Sequence, residues 1–307
     1  MFTRQIRLAG IVLLILFMAQ TGAYSATPDF ANVQIQTEKV ADNVFMLVGA
    51  GGNIGVSAGR DCVLMIDTSY APLADKIKAA IAAVSGKPIQ YVVNTHWHQD
   101  HVGGNEYFAK EGAAVVAHDN VRKRVSTEQV VKILNKTVPP LPESALPVIT
   151  FSRNVTFHLN GNEIFIFHIE RAHTDGDAIV HFKKSNVIHM GDIYFNGTYP
   201  FIDLSAGGSI NGMIAAVKRI LLLCDQDTKV MPGHGHLSNK AELQEYLKML
   251  VAVRDRISSE LRAGQPLAAV IASQPTRDLD PVWGKGFMKP EQFVTIVYES
   301  LAKEKSR

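Results

Sequence analysis

The sequence predicts an α/β fold arranged as a four-layer αββα sandwich. Two observations carry that reading. Strand-rich and helical stretches alternate twice along the chain, in halves of about equal length. One sheet per half, each covered by helices, makes four layers. Histidine and aspartate then recur just past strand ends, where a sandwich can gather side chains into one cleft.

The elements are read in chain order. Asn43–Val48 and Gly55–Ala58 are strands flanking a glycine-rich turn, Gly49–Asn53. Asp61–Ile66 is a β-type run ending at Asp67. Leu73–Val84 has apolar residues at helical spacing, and Ser85-Gly86-Lys87-Pro88 stops it. Ile89–Asn94 is an apolar strand that ends where the histidines begin. Gly104–Gly112 and Asn120–Leu134 read as helices on either side of a strand at Ala114–Ala117. The proline-rich stretch Thr137–Leu146 reads as an irregular surface loop. In the second half, Val155–Leu159 and Glu163–Ile169 are joined by Asn160-Gly161-Asn162, a hairpin signal. Ala178–Phe182 and Asn186–Met190 form a further pair, and Lys229–Met231 is a short strand. Ile210–Leu223, Asn239–Leu261, Pro266–Ser273 and Pro290–Leu301 read as helices.

Composition narrows the function. Hydrophobic content of 47% with 20% charged residues excludes a disordered chain of 307 residues. Of the 31 Lys and Arg, two (Arg4 and Arg7) lie in the first 25 residues, which hold no acid. The other 29 match the 29 Asp and Glu. A charge-neutral body argues against nucleic-acid binding through a basic surface. Met1–Arg7 is basic, Leu8–Ala19 nearly all apolar, and Gln20–Ser25 small and polar. That layout is expected of a secretory signal peptide, with cleavage before or just after Ala26. Residues 1–25 are therefore expected to be a leader and 26–307 one domain, periplasmic or secreted. The apolar run is short of the ~20 residues a membrane span needs, so no membrane partner is expected after cleavage. An uncleaved anchor would export the body equally. Cys62 and Cys224 are expected to be free and buried rather than bridged.

Eleven histidines turn attention to Thr95-His96-Trp97-His98-Gln99-Asp100-His101, directly after a strand. Side chains alternate along a strand, so His96 and His98 can point the same way. Two neutral imidazoles so held suit a zinc-type ion. Asp100 and His101 can reach a second ion. Three further candidates stand in turns past strands: His173, Asp192 and His234.

The ordered set His96-x-His98-x-Asp100-His101, then His173, Asp192 and His234, resembles the metallo-β-lactamase superfamily. The likeness covers nearly the whole chain after the leader. It implies the αββα fold and two metals per chain, zinc with iron or manganese as alternatives. His96, His98 and His173 would hold one, Asp100, His101 and His234 the other, and Asp192 would bridge them. It also implies that Asp67 orients the motif loop; as sequence, Asp67 reads equally as a turn former. A water between two such ions loses its proton near neutral pH and needs no Ser or Cys nucleophile. Asp100 can also handle a proton.

The expected function is therefore an exported metal-dependent hydrolase cleaving an ester, lactone, amide or β-lactam bond in a small substrate. Typical β-lactamases of the family carry Cys where this chain has Asp192, or lack an acidic bridge there. Asp192 resembles the wider hydrolase branches, while His173-Thr174-Asp175-Gly176-Asp177 resembles β-lactamases. The alternatives are a mono-iron persulfide-dioxygenase-like enzyme and a non-catalytic metal-binding partner of a periplasmic oxidation system. The oligomeric state is left open. Among other residues, Tyr194 is either an oxyanion aid or an aromatic wall. His118 caps the next helix or lines the cleft, and His236 is a candidate for its rim. Tyr199–Leu204 is expected to shape the cleft, and Trp97 to pack beneath the metals.

Overall fold

The computed structural model describes residues 29–305, so the expected leader lies outside the described residues. Among the described residues fifteen strands form: β1 Gln36–Ala41, β2 Val44–Val48, β3 Ile54–Ala58, β4 Val63–Ile66, β5 Ile89–Val93, β6 Ala114–His118, β7 Gln129–Val131, β8 Lys136–Val138, β9 Ile149–Phe151, β10 Asn154–Leu159, β11 Asn162–His168, β12 Ala178–Phe182, β13 Val187–His189, β14 Lys229–Met231 and β15 Ser238–Asn239. The helices are α1 Ala74–Ala82, α2 Gln99–Val102, α3 Asn105–Lys110, α4 Asp119–Val125, α5 Ile210–Leu221, α6 Lys240–Arg262, α7 Leu267–Ala272, α8 Asp280–Trp283 and α9 Pro290–Lys305. A seven-stranded sheet runs β1-β2-β3-β4-β5-β6-β9, and a six-stranded sheet runs β10-β11-β12-β13-β14-β15.

Period-two alternation sorts the core into three apolar layers. Val44, Met46, Leu64, Ile66, Val93 and Val116 of the first sheet face Ile164, Ile166, Val180, Phe182 and Val187 of the second. Their chain neighbours Leu47, Val63, Met65, Val92 and Val115 point the other way, onto Ile77 and Ile81 of α1 and Phe108 of α3. On the far side Ile179, Ile188 and Val230 bury against α5, α6 and α9. The sandwich is therefore α/β/β/α, as expected. Among the described residues no helix is long and apolar enough to cross a membrane.

Two stretches differ from the sequence reading. The helix expected over Asn120–Leu134 stops at Val125. Gln129–Val131 and Lys136–Val138 then pair as a two-stranded hairpin. The β-branched run Val130-Val131 favours extended backbone, and the reversal passes through Asn135 in the left-handed region (φ 46°). Thr137–Leu146 is correspondingly not wholly irregular: it begins in β8 and contains a single 3₁₀ turn, Glu143–Ala145. The edge strand β1 and the short β9 go unrecognised in the sequence.

The two halves are pinned away from the histidines by the turn at Asn160. Its amide donates to the Ser57 hydroxyl (3.0 Å) and the Cys62 carbonyl (3.0 Å), and accepts from Asp61 N (3.1 Å). Asn160→Ala strands these buried groups and should cost about 2–4 kcal/mol, read as a lower urea midpoint at unchanged slope.

Candidate metal centre

Strands β4, β5 and β6 are parallel neighbours, as are β13 and β14. Their C-terminal ends open at one cleft between the sheets. Asp67 follows β4, the motif loop follows β5, Asp192 follows β13 and His234 follows β14. The motif switches from extended backbone at His98 (φ −67°, ψ 148°) into the one-turn helix α2, which carries Asp100 and His101. Two glycines allow the approach. A Cβ at Gly52 would lie 2.2 Å from the His101 ring, and one at Gly233 would lie 2.1 Å from Asp192 Oδ1.

The cleft gathers all seven candidate ligands in two groups. His96, His98, His173 and Asp192 form one, and Asp100, His101 and His234 the other, with ligand atoms in each within 4.8 Å of one another. Asp192 lies between them. Its Oδ2 is 3.6 Å from His173 Nε2 and 3.4 Å from His234 Nε2, and its Oδ1 is 3.1 Å from His101 Nε2. Asp100 Oδ2 is 3.3 Å from His234 Nε2.

Acceptors around the cluster decide which ring nitrogens carry hydrogen. His98 Nε2 donates to Asp203 Oδ2 (3.1 Å), His101 Nδ1 to Asp67 Oδ2 (2.8 Å), and His173 Nδ1 to the Phe201 carbonyl (2.8 Å). Carboxylates and carbonyls only accept, so those nitrogens must be the donors. The Thr95 hydroxyl donates to Asp67 Oδ2 (2.6 Å) and so accepts from His96 Nδ1 (3.1 Å). The four opposite nitrogens are left with inward lone pairs. His96 Nε2, His101 Nε2 and Asp192 Oδ1 are buried without a hydrogen-bond partner. His98 Nδ1 and His173 Nε2 face each other at 2.9 Å. Buried acceptors aimed at each other are costly unless positive charge lies between them.

The electrostatics agree. Burial drives His96 well below its ordinary pKa and His173 down to about 4, so both stay neutral. At His101 burial acts in the same direction but is outweighed by Asp192, Asp100 and Asp67, which push it up. His234 rises to about 9, against burial, through Asp192 and Asp100. Burial would raise Asp100 and Asp192, yet His101 and His234 hold both below the usual carboxylate range. The pocket demands positive charge, and its imidazole and carboxylate donors fit divalent cations.

Other sequence expectations meet mixed outcomes. Asp67 is fully buried and orients the motif loop. His118 Nδ1 accepts from Asn120 N, a capping role. Trp97 is buried, its ring 4.6 Å from that of His98. Cys62 and Cys224 are free and buried. Tyr194 is corrected: it is fully buried in the outer core and its hydroxyl is taken by Ser238 (2.8 Å). The cleft walls are instead Phe195, stacked on His234 at 5.0 Å, and Phe201, 5.5 Å from His98. Sequence reasoning missed the role of Asp203, although the stretch holding it had been marked as cleft wall. It also missed Asp177, whose carboxylate accepts from His173 N (2.7 Å) and the Thr174 hydroxyl (2.5 Å). An acid four residues after a ligand was the available signal.

An αββα sandwich with imidazoles and carboxylates converging between its sheets defines a metallohydrolase-type protein. Residues 48–253 match the family model of the metallo-beta-lactamase superfamily, and the chain belongs to that superfamily. It is 23% identical over 246 residues to a type 2 metallo-beta-lactamase of Elizabethkingia meningoseptica, covering 77% of this chain and 92% of that one. It is 30% identical over 172 residues to a hydroxyacylglutathione hydrolase of Polaromonas sp., covering 55% and 57%. In structure it is similar to a metallo-beta-lactamase from Pontibacter korlensis, with TM-score 0.57, 18% identity, and coverage of 71% of this chain and 99% of that one. It is also similar to a double mutant of the sec-alkyl sulfatase PisA1, with TM-score 0.65, 16% identity, and coverage of 86% and 50%. These two likenesses show the fold. The chain is a metal-dependent hydrolase.

Asp203→Ala frees the His98 ring from its acceptor. Metal affinity should fall roughly 10–100-fold, measured by competition with a chromophoric chelator. Chelation of the wild type should lower Tm by roughly 10 °C. That corresponds to about 4 kcal/mol of ion-linked stability at a thousand times Kd, read by calorimetry before and after ion removal.

Proposed function

We propose that the protein is an exported two-zinc hydrolase that cleaves an ester, lactone, amide or β-lactam bond in a small substrate. Residues 1–25 are its leader and 26–307 the working domain. One observation carries the reading: two ligand groups, with Asp192 between them, keep bare acceptor atoms pointed at a common interior. The complete second group, Asp100, His101 and His234, disfavours a mono-iron enzyme. The names of both curated relatives support hydrolysis. With Asp rather than Cys at position 192, β-lactam turnover is a possible activity and not the default one.

His96, His98 and His173 would hold one ion, Asp100, His101 and His234 the other, and Asp192 would touch both. Two such ions, when bound, acidify a water and polarise the bond under attack. The chain's own residues then do the positioning. Asp67 and Asp203 lock the rings of His101 and His98 so that their bare nitrogens cannot turn away. Phe195 and Phe201 give the cleft apolar walls that limit water. Asp100 is 21% exposed, far more than Asp192 at 5%, so it is the carboxylate able to pass a proton to departing product.

Asp100→Ala and His234→Ala should each lower zinc from two to about one per chain, with hydrolysis down roughly a hundredfold or more. The check is elemental analysis beside a panel of nitrocefin, an acyl-homoserine lactone, a thioester, a p-nitrophenyl ester, a phosphodiester and an alkyl sulfate. Full zinc content with full activity in either variant would overturn the site assignment.

A further inference from the structure

We propose that the Tyr70 hydroxyl donates a hydrogen bond to the substrate at the mouth of the metal centre, to the oxygen that gains negative charge as the bond is cleaved. The proposal rests on the hydrolytic reading above.

The backbone aims this residue. Asp67 (φ 62°) and Ser69 (φ 52°) both occupy the left-handed region, which non-glycine residues seldom adopt and which clusters at functional sites. The turn is held by Ser69 Oγ donating to the Ala50 carbonyl (2.7 Å) and Gly104 N donating to the Ser69 carbonyl (3.1 Å). Its effect is to send Asp67 inward, to Thr95 and His101, and to lay Tyr70 over the 49–53 loop.

Packing then fixes the ring. Gly51 stands between Tyr70 and Asp100: a Cβ there would lie 3.0 Å from Tyr70 Cε2 and 3.1 Å from Asp100 Cβ. The aromatic edge and the stem of the expected ligand therefore flank one bare backbone position. Phe30 covers the ring at 5.2 Å between centroids. Phe30 is held in turn by Lys76, whose ammonium donates to the carbonyls of Phe30, Ala31 and Val33 at 3.0, 2.6 and 2.7 Å. A clamped ring loses little freedom when its hydroxyl is engaged.

The hydroxyl itself is unspent. Tyr70 is partly buried, yet its Oη makes no hydrogen bond to any described residue. The oxygen is not among the fully buried atoms, so it is reachable from the solvent side of the cleft. Its electrostatic neighbours are the carboxylates of Asp100 and Asp192, which with burial push the phenol above its ordinary pKa and keep it a donor. The tyrosines on the other side of the cleft are committed elsewhere: Tyr194 to Ser238 and Tyr199 to Asp280 (2.9 Å). A neutral donor beside two anions repels nothing and favours an incoming oxyanion, which is the pattern of transition-state stabilisation.

The test uses methylphosphonate, a tetrahedral anion, titrated calorimetrically into zinc-loaded wild type and Tyr70→Phe, with zinc content and Tm measured on both. The variant keeps the ring and loses only the hydroxyl. It should bind methylphosphonate roughly tenfold more weakly, with zinc at two per chain and Tm unchanged. The wild type should also show a tyrosine perturbation in its near-UV difference spectrum on adding the probe, which covers the case of a variant that fails to fold. Equal affinity in the two proteins, or no binding and no tyrosine perturbation in a wild type holding two zincs, overturns the Tyr70 role alone. A wild type that holds no zinc overturns the hydrolytic reading beneath it as well.

Discussion

Asp67 sits fully buried at the end of β4 and accepts three hydrogen bonds, from Thr95 N (2.7 Å), the Thr95 hydroxyl (2.6 Å) and His101 Nδ1 (2.8 Å). A carboxylate so deep is tolerable only when its oxygens are used. The partners it takes are the ones that start the motif loop. Through His101 directly, and through the Thr95 hydroxyl for His96, it decides which nitrogen of each ring faces the cleft. The left-handed backbone at Asp67 is the local cost of that placement.

The same logic is repeated by the second half of the chain, on one ring from the first half and one of its own. Asp203 holds His98 from 105 residues away. The Phe201 carbonyl holds His173, and Asp177 closes the turn that carries it. One wall, Phe201, and two of the acceptors, the Phe201 carbonyl and Asp203, thus come from one segment, Tyr199–Leu204, which shapes the cleft and aims the ligands together. Asp67 is placed by the end of β4, whereas Asp203 is placed by capping the 3₁₀ turn Leu204–Ala206, where it accepts from Ser205 N and Ala206 N.

Much of this was legible in the sequence, for identifiable reasons. Alternation in Val63–Ile66 and Ala178–Phe182 gives faces that water sorts without help. The seven candidate ligands were legible because strand ends are marked locally by Gly, Pro and Asp. What was illegible depends on partners far along the chain. Nothing near Asp203 announces His98, and nothing near Tyr194 announces that Ser238 will take its hydroxyl. The helix over-extended past Val125 failed for another reason: its apolar spacing continues into Val130 and Val131, which are equally at home in a hairpin. The edge strand β1 is largely exposed, so no apolar period marks it.

The division of the ligands between the halves has a mechanical meaning. Each proposed ion takes donors from both sheets: His96 and His98 with His173, Asp100 and His101 with His234. Chain segments 75 residues apart at His98 and His173 are thereby tied. The two cysteines are free and tie nothing. A bound ion would then add a removable rivet between two sheets already joined by their shared apolar layer, by the Asn53 amide donating to the Pro232 and Gly235 carbonyls, and by the pin at Asn160. Removing the ions would therefore take away one tie among several, and the apolar layer between the sheets would still hold them face to face.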